Sequence, residues 1–543
     1  VNILTSLASA FTGRPRANTY GPSGYNGATT GRRMVGMGST TRGVSSLAMA
    51  DGPMLTARAR KAVMDDPLMA SCLTGFVAEV IGAGIRPHSK HSDPKIRRML
   101  EKEFFLWTKQ SSAARRIGSD GKPDSLQDFF TQQMLVCRNV VEAGEAFARL
   151  RPRLAADLSR SGLRVPLQID LIEPEQLAYW RTSGDMSSPQ NIIRASIEFD
   201  QIHQRVAYHF YREHPGDSTI WPNAYEIVRV PSQSVLHIME FIRGSQIRGI
   251  TPLAPILVAA NDLDDFQDAT RYRQKLGAYL FAWKKTLTPD DPNLLTSSVV
   301  GNDQADAGTS YTESQPGQLT ILDSSANEEF GFYAHPGVDA TYKDFVMIHQ
   351  KVIATLNRVT YAMATGDVAN ANYSSSRIAL LALRRIWRQW QKAVMDHQFN
   401  RPVWRAWCDA AALVGIIDPS DYQSNPEEYL NVEFLPDPWD WVDPSADVAS
   451  IRAQVESCFT SREAEVSARG RDVEEVDAEI KRDHDREEAL GLFPVYGASR
   501  VVIQGEPGDN GDDPGATAPA SGGTAASKKT PAQQKEDLNN AGN

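Results

Sequence analysis

Few residues of this chain stand at spacings that support catalysis. Gly118-Ser-Asp-Gly-Lys122 has the glycines and the lysine of a phosphate-binding loop, but the spacing differs and the segment runs into Pro123 instead of a helix-opening Ser or Thr. It reads as a turn. Adjacent carboxylates, Asp264 beside Asp265 and Glu474 beside Glu475, project in different directions from a helix and do not face each other as an acid and a base must. His203, His209, His214 and His237 alternate with apolar residues or sit beside turns, the pattern of satisfied or exposed strand histidines and not of metal ligands. Cys72, Cys137, Cys408 and Cys458 are scattered, with no CxxC pair and no His at ligand spacing, so they read as reduced thiols of a cytosolic protein. The Walker loop, HExxH, GxSxG, the EF-hand loop and the dinucleotide fingerprint are absent. No catalytic residue, metal or cofactor is assigned, and a nuclease or protease has no constellation behind it.

Charge is the feature the sequence concentrates. Residues 286–335 hold Asp290, Asp291, Asp303, Asp306, Glu313, Asp323, Glu328 and Glu329 and no Lys or Arg. The first 44 residues carry Arg14, Arg16, Arg32, Arg33 and Arg42 with no acid among many Gly, Ser and Thr, which predicts a flexible basic arm. A net charge of -10 over 543 residues argues against a protein that grips nucleic acid over its whole surface, though not against a surface past which it slides.

These residues need elements to position them. The chain is long enough for more than one compact region. Helical spacing from Leu55 to Ile85, broken at Pro67 and closed by Gly82 and Gly84, predicts two helices, followed by helices over 93–109 and 126–144. From Glu145 short β-rich runs take over, bounded by Pro, Gly and Asp. Pro252 and Pro255 open a helix that runs to about Lys285, with Leu263, Phe266, Leu276, Leu280 and Trp283 on its apolar face. Its Asp262, Asp264, Asp265 and Asp268 precede Arg271, Arg273, Lys275, Lys284 and Lys285, an order that suits the helix dipole and equally suits pairing between neighbouring copies. A second helix, about 341–363, turns Phe345, Ile348, Val352, Leu356 and Val359 to one side and carries Lys351 and Arg358. The polar loop TGDVANANYSSS then leads into a long amphipathic helix with Leu380, Leu383, Trp387, Trp390 and Val394 on one face and Arg377, Arg384, Arg388 and Lys392 opposite. Those cations suit a solvated face, DNA contact or subunit packing, and Pro402 should kink or restart the helix. Residues 445–491 read as two more helices, and from about Gln504 a Gly, Pro and Ala-rich tail reads as disordered. The fold class is α+β, mostly α. No apolar run is long enough to span a membrane and no secretory signal is visible, so a soluble protein is expected. Val1 stands first, so an initiator Met or a longer leader is expected ahead of it, and the sequence does not say which.

The order of segments resembles the lambda-type family of tailed-phage portal proteins. The resemblance is carried by residues 55–85, Glu142-Ala-Gly-Glu145, Leu171-Ile-Glu-Pro174, Tyr208 to Asp217, Val235-Leu-His237, Ile247-Arg-Gly-Ile250 with Pro252, and Tyr373-Ser-Ser-Ser-Arg377, in order over roughly residues 50–495. It implies a portal-type fold in a dodecameric ring at one capsid vertex, around a channel for double-stranded DNA. On this sequence the resemblance implies a wing at 45–250, stem helices at 251–285 and 341–363, and a clip at 286–340. A tunnel loop would fall at 364–376, with Thr365, Gly366, Asp367, Asn370, Asn372 and Tyr373 near the passing DNA. It further implies a wing return over 377–444, a crown-like region over 445–503 and a free tail over 504–543. Implied partners are the terminase large subunit, head-completion and neck proteins, the major capsid protein and scaffold, with no membrane; the place is the virion, after assembly in the host cytoplasm. The acidity of the insert suits both a surface that repels phosphates and a dock for basic partners. A neck adaptor or minor capsid protein is the competing reading, and the helix, insert, helix order counts against it.

Overall fold

Helix α1 (Val44–Asp65) opens well before Leu55, because its inward face is built from Ala48, Gly52, Thr56 and Ala59, residues too small or polar to signal burial by hydropathy. A Cβ at Gly52 would touch the Tyr179 ring at 3.0 Å, so the small side chains allow close packing. The computed structural model describes residues 42–117, 123–154, 158, 162–182, 191–217, 225–279, 282–286, 328–332, 340–369, 372–439, 444–469, 471 and 473–491. The expected basic arm before Arg42, the tail beyond 503, the 118–122 turn, Asp290, Asp291, Asp303, Asp306, Glu313, Asp323 and Asn370 lie outside the described residues. Two compact units divide the chain, Val1–Val476 and Asp477–Asn543, and the sites below belong to the first.

Asp residues cap the next helices, and Pro opens two of them. Asp66 accepts from Leu68 N–H at 2.8 Å to open α2 (Pro67–Ile81), which Gly82 closes at φ 56°. After β1 (Arg86–Ser89), Asp93 caps α3 (Pro94–Thr108) in the same way. Strands β2 (Arg115–Ile117) and β3 (Pro123–Ser125) pair antiparallel, and Asp128 caps α4 (Phe129–Ala143).

The β-rich stretch forms two antiparallel sheets. β4 (Glu145–Pro152) is central between β5 (Leu167–Ile172) and β10 (Val235–Met239). β6 (Ile192–Arg194), β7 (Ile197–Phe199), β8 (Arg205–Tyr211) and β9 (Ile227–Pro231) form the other in sequence order. Helix α5 (Leu257–Tyr279) ends earlier than its apolar periodicity suggests. Residues expected to continue it instead form β11 (Ala282–Thr286), paired with β12 (Glu328–Phe332), so a non-local ladder overrides a helical spacing. Helix α6 (Ala340–Leu356) also stops early. Arg358 takes φ 62°, and Thr360 caps a separate short helix, α7 (Tyr361–Thr365).

From α8 (Tyr373–Trp390) the chain stays helical through a π segment (Gln391–Asn400) into α9 (Arg401–Leu413). Pro402 therefore does not end the helix. Its ring would crowd the carbonyl four residues back in an α-helix, and the wider π turn just before it relieves that crowding. Then come α10 (Pro419–Ser424), α11 (Pro426–Leu430), β13 (Val432–Leu435) antiparallel to β1, α12 (Pro444–Glu456), α13 (Arg462–Ser467) and α14 (Val473–Leu490). The fold is mostly helical with some sheet.

The core forms where α3, α4, the π segment and α9 meet. Phe104 lies 5.0 Å from Trp404 and 5.3 Å from Trp407, and Phe129 stacks on Phe399 at 5.6 Å. Burial of such rings is a large share of the driving force for folding. Cys72, Cys137 and Cys408 are part of this core and Cys458 is exposed. Among the described residues no helix is long and apolar enough to cross a membrane.

Candidate functional site

Three of the sequence segments that carry the resemblance converge at one buried point. Glu145, at the start of β4, accepts from Arg248 Nε at 2.7 Å and from the Gly249 N–H at 2.7 Å, and lies 2.9 Å from His237 Nε2 on β10. Arg248 is wholly buried, reaches the Ala195 carbonyl at 3.2 Å, and lays its guanidinium 3.8 Å from the centre of the Tyr179 ring. Arg205 Nη1 lies 3.1 Å from His237 Nδ1, so that nitrogen accepts and the proton sits on the Nε2 that faces Glu145. Burial alone would raise the Glu145 carboxyl, but Arg248 overrides it and holds the pKa at about 2. Burial pushes His237 down to about 4 in spite of its carboxylate neighbour. The Glu145, Arg248 and His237 side chains are all buried, so the cluster acts within the fold. It ties the two sheets to the backbone that leads into α5. Sequence reasoning read Glu145 and Arg248 only as parts of short matches, since nothing in a single sequence shows that they meet.

The backbone makes the same junction. A Cβ at Gly249 would stand 2.3 Å from the Gly144 carbonyl oxygen, and one at Gly144 would stand 2.4 Å from the Ile250 carbonyl carbon. Two glycines let the turn before β4 lie directly on the segment before α5.

The expected tunnel-loop residues form a capped connector. Thr365 ends α7, donating to the Tyr361 carbonyl at 2.8 Å. Gly366 closes that helix at φ 72°, Asp367 accepts from Ala369 N–H at 3.0 Å, and Asn372 caps α8 through Ser374 N–H at 3.2 Å. Tyr373 begins α8. Gly366 serves here as a helix terminator.

The charges proposed for a solvated or DNA-facing stripe are largely engaged within the chain. Arg377 pairs with Asp447 at 2.7 Å, and Lys392 with Asp396 at 2.5 Å. Arg384 and Arg388 lie 5.4 Å and 5.2 Å from the Trp439 ring centre, a cation–π arrangement. Arg358 pairs with Glu240 at 2.7 Å, and Lys351 stands 5.5 Å from the Tyr361 ring centre. Of the acidic insert, Glu328 and Glu329 fall on β12.

His203 is exposed in a turn, and His209 and His237 pair with Glu198 and Glu145. Glu173, Glu175 and His214 bring potential metal-ligand atoms within 4.8 Å of one another. Each is already engaged. Glu175 holds Arg60 at 2.5 Å, Glu173 faces His214 at 3.4 Å, and His214 Nδ1 accepts the Gly216 N–H at 3.0 Å, leaving its proton on Nε2.

The two long helices before and after the insert leave apolar surface uncovered. Of the face expected on α6, Val359, just beyond the helix end, is buried, whereas Phe345, Ile348, Val352 and Leu356 are 43% to 57% exposed.

Residues 30–391 match the family model described as "Phage portal protein, lambda family". The chain is 25% identical over 439 residues to the probable portal protein of Halomonas phage phiHAP-1, covering 79% of this chain and 78% of that one. A chain from the neck of a native gene transfer agent particle is 13% identical, with 83% of this chain and 99% of that one covered at a TM-score of 0.40. An HK97-family phage portal protein from Corynebacterium diphtheriae is 12% identical, with 60% and 84% covered at a TM-score of 0.30. By the match across residues 30–391, this chain belongs to the lambda family of phage portal proteins.

Proposed function

We propose that the chain assembles into the portal ring of a tailed-phage head, a dodecamer at the unique capsid vertex through which double-stranded DNA is packed and later ejected. The family match across residues 30–391 carries this reading. The uncovered stripe of α6 supports the oligomer, since four apolar side chains at 345, 348, 352 and 356 are costly to leave in water. A ring needs a heterologous interface, in which two different faces of one chain meet, and long helices with unlike faces supply it.

In this reading the stem comprises α5 and α6, and the acidic insert between them is the clip, facing the terminase large subunit during packaging and head-completion or neck proteins afterwards. The connector from Thr365 to Tyr373 is the tunnel loop, and the sheets of 45–250 belong to a wing held by the major capsid protein and scaffold. The protein acts as a channel without catalysis of its own, and the work of packing comes from a separate ATPase motor. Its place is the virion, after assembly in the host cytoplasm. Negative-stain images of the purified protein test the reading. Rings of twelve or thirteen copies with a central hole are expected, and a monodisperse monomer at high concentration overturns it.

A further inference from the structure

We propose that the uncovered stripe of α6 packs in the ring against the outer edge of α5 of a neighbouring copy, with Val352 on Val258 and Lys351 paired to Asp262 across the interface. This rests on the ring reading and adds which faces meet and in which register.

The stripe has the spacing of a helix-packing seam. Phe345, Ile348, Val352 and Leu356 follow one another at three, four and four residues, so they line a single face over the length of the helix. The fold already covers the other side of α6 with Ile353 and Ala354 and leaves Ile348, Val352 and Leu356 open, with Phe345 at the edge of its contact with Phe266. On α5 a second open edge has matching spacing: Val258, Asp262, Asp265, Ala269 and Tyr272, with Val258 70% and Tyr272 64% exposed. One edge is apolar with Lys351 beside it, and the other sets two successive carboxylates between Val258 and the Ala269–Tyr272 end. Among the described residues neither Lys351 nor Asp262 has an ion-pair partner in its own chain.

Charge selects this pairing over self-association of α6. A two-fold contact of the stripe with itself would bring both copies of Lys351 together near its middle, a like-charge contact. Against α5 the same lysine meets a carboxylate.

Geometry within one copy fixes the register. Leu257, Ala260 and Leu263 are in the core at the beginning of α5, and Ile353 and Ala354 are in it near the end of α6. The first helix thus runs out of the core and the second runs back. Phe266 meets Phe345 at 4.8 Å and sets their relative height. Rotation about a ring axis preserves height along that axis. For stem helices running along the axis, the antiparallel register therefore carries over to the neighbour, bringing Val352 level with Val258 and Lys351 nearly level with Asp262.

The test is cross-linking in the full-length protein. In a Cys458→Ser background, Val258→Cys and Val352→Cys are combined on one chain, purified, mildly oxidised and run on a denaturing gel without reductant, with negative-stain images of the same sample. A ladder of covalent multimers is expected, at least about tenfold more abundant than with either single cysteine. Rings without a ladder, or an intrachain disulfide alone, overturn this pairing and leave the ring reading standing. Absence of both rings and ladder overturns both. Lys351→Asp should lower ring yield roughly tenfold, and adding Asp262→Lys should restore it. Failure of the second change to rescue the first also overturns the pairing.

Discussion

Arg248 Nη2 lies 2.6 Å from Glu145 Oε1, and both side chains are completely shielded from solvent although 103 residues separate them in sequence. A buried ion pair of this kind is weak evidence for stability but strong evidence for interdependence, because either charge alone is stranded in a poor solvent. Glu145→Gln should therefore cost about 3–5 kcal/mol. Glu145→Leu combined with Arg248→Met should recover most of that loss. Urea unfolding of the three proteins checks this, and a double variant as unstable as the single one would mean that the pair does more than balance charge.

His237 makes stability sensitive to mild acid. Its folded pKa of about 4 lies below the ordinary value of 6.5, so the unfolded chain binds the proton more readily. Stability is then whole above 6.5 and falls as the pH drops towards 4, with a slope approaching about 1.4 kcal/mol per unit. The groups around the ring are Glu145, Arg205 and Arg248. Glu145, held at about 2 against an ordinary 4.5, adds a further loss between those values as the pH falls. Thermal melts from pH 7 to pH 4.5 should show a shallower decline for His237→Gln than for the parent protein.

Gly249→Ala should be among the most damaging single-methyl additions in the chain. The new carbon meets the Gly144 carbonyl oxygen at 2.3 Å, backbone against backbone, and neither side can yield cheaply. A loss of about 3 kcal/mol is expected. Gly75→Ala is the control. Its methyl meets Met363 and Val359 at 3.7 Å within helix α2, so a gain of up to about 1 kcal/mol is expected from helix propensity. Paired melting curves decide the matter.

Reversing Asp303, Asp306 and Glu313 to Lys should leave rings intact in electron micrographs while impairing motor docking or DNA passage in a packaging assay. Normal packaging by the reversed protein would remove the functional role given to the acidity of the insert.

Helix starts were legible to within a few residues, since Asp66, Asp93 and Asp128 cap their helices through contacts only two or three residues away. Of the apolar side expected on α6, Val359 is buried beyond the helix end while Ile348, Val352 and Leu356 are about half exposed, a difference no periodicity contains. The end of α5 was missed because Leu276, Leu280 and Trp283 keep helical spacing while residues 282–286 pair with a strand more than forty positions away. The start of α1 was missed because its buried face is made of small residues. The Glu145 cluster depends on contacts between positions 145, 205, 237 and 248, and only the fold brings them together.

The burial of Cys72, Cys137 and Cys408 has a practical side. Burial raises all three thiols, Cys72 to about 12, which keeps them from forming the reactive thiolate at neutral pH. Cys458, exposed, is left as the single natural handle for a maleimide dye. Labelling of the folded protein should stop at one dye per chain, so counting fluorophores on one particle would count its subunits.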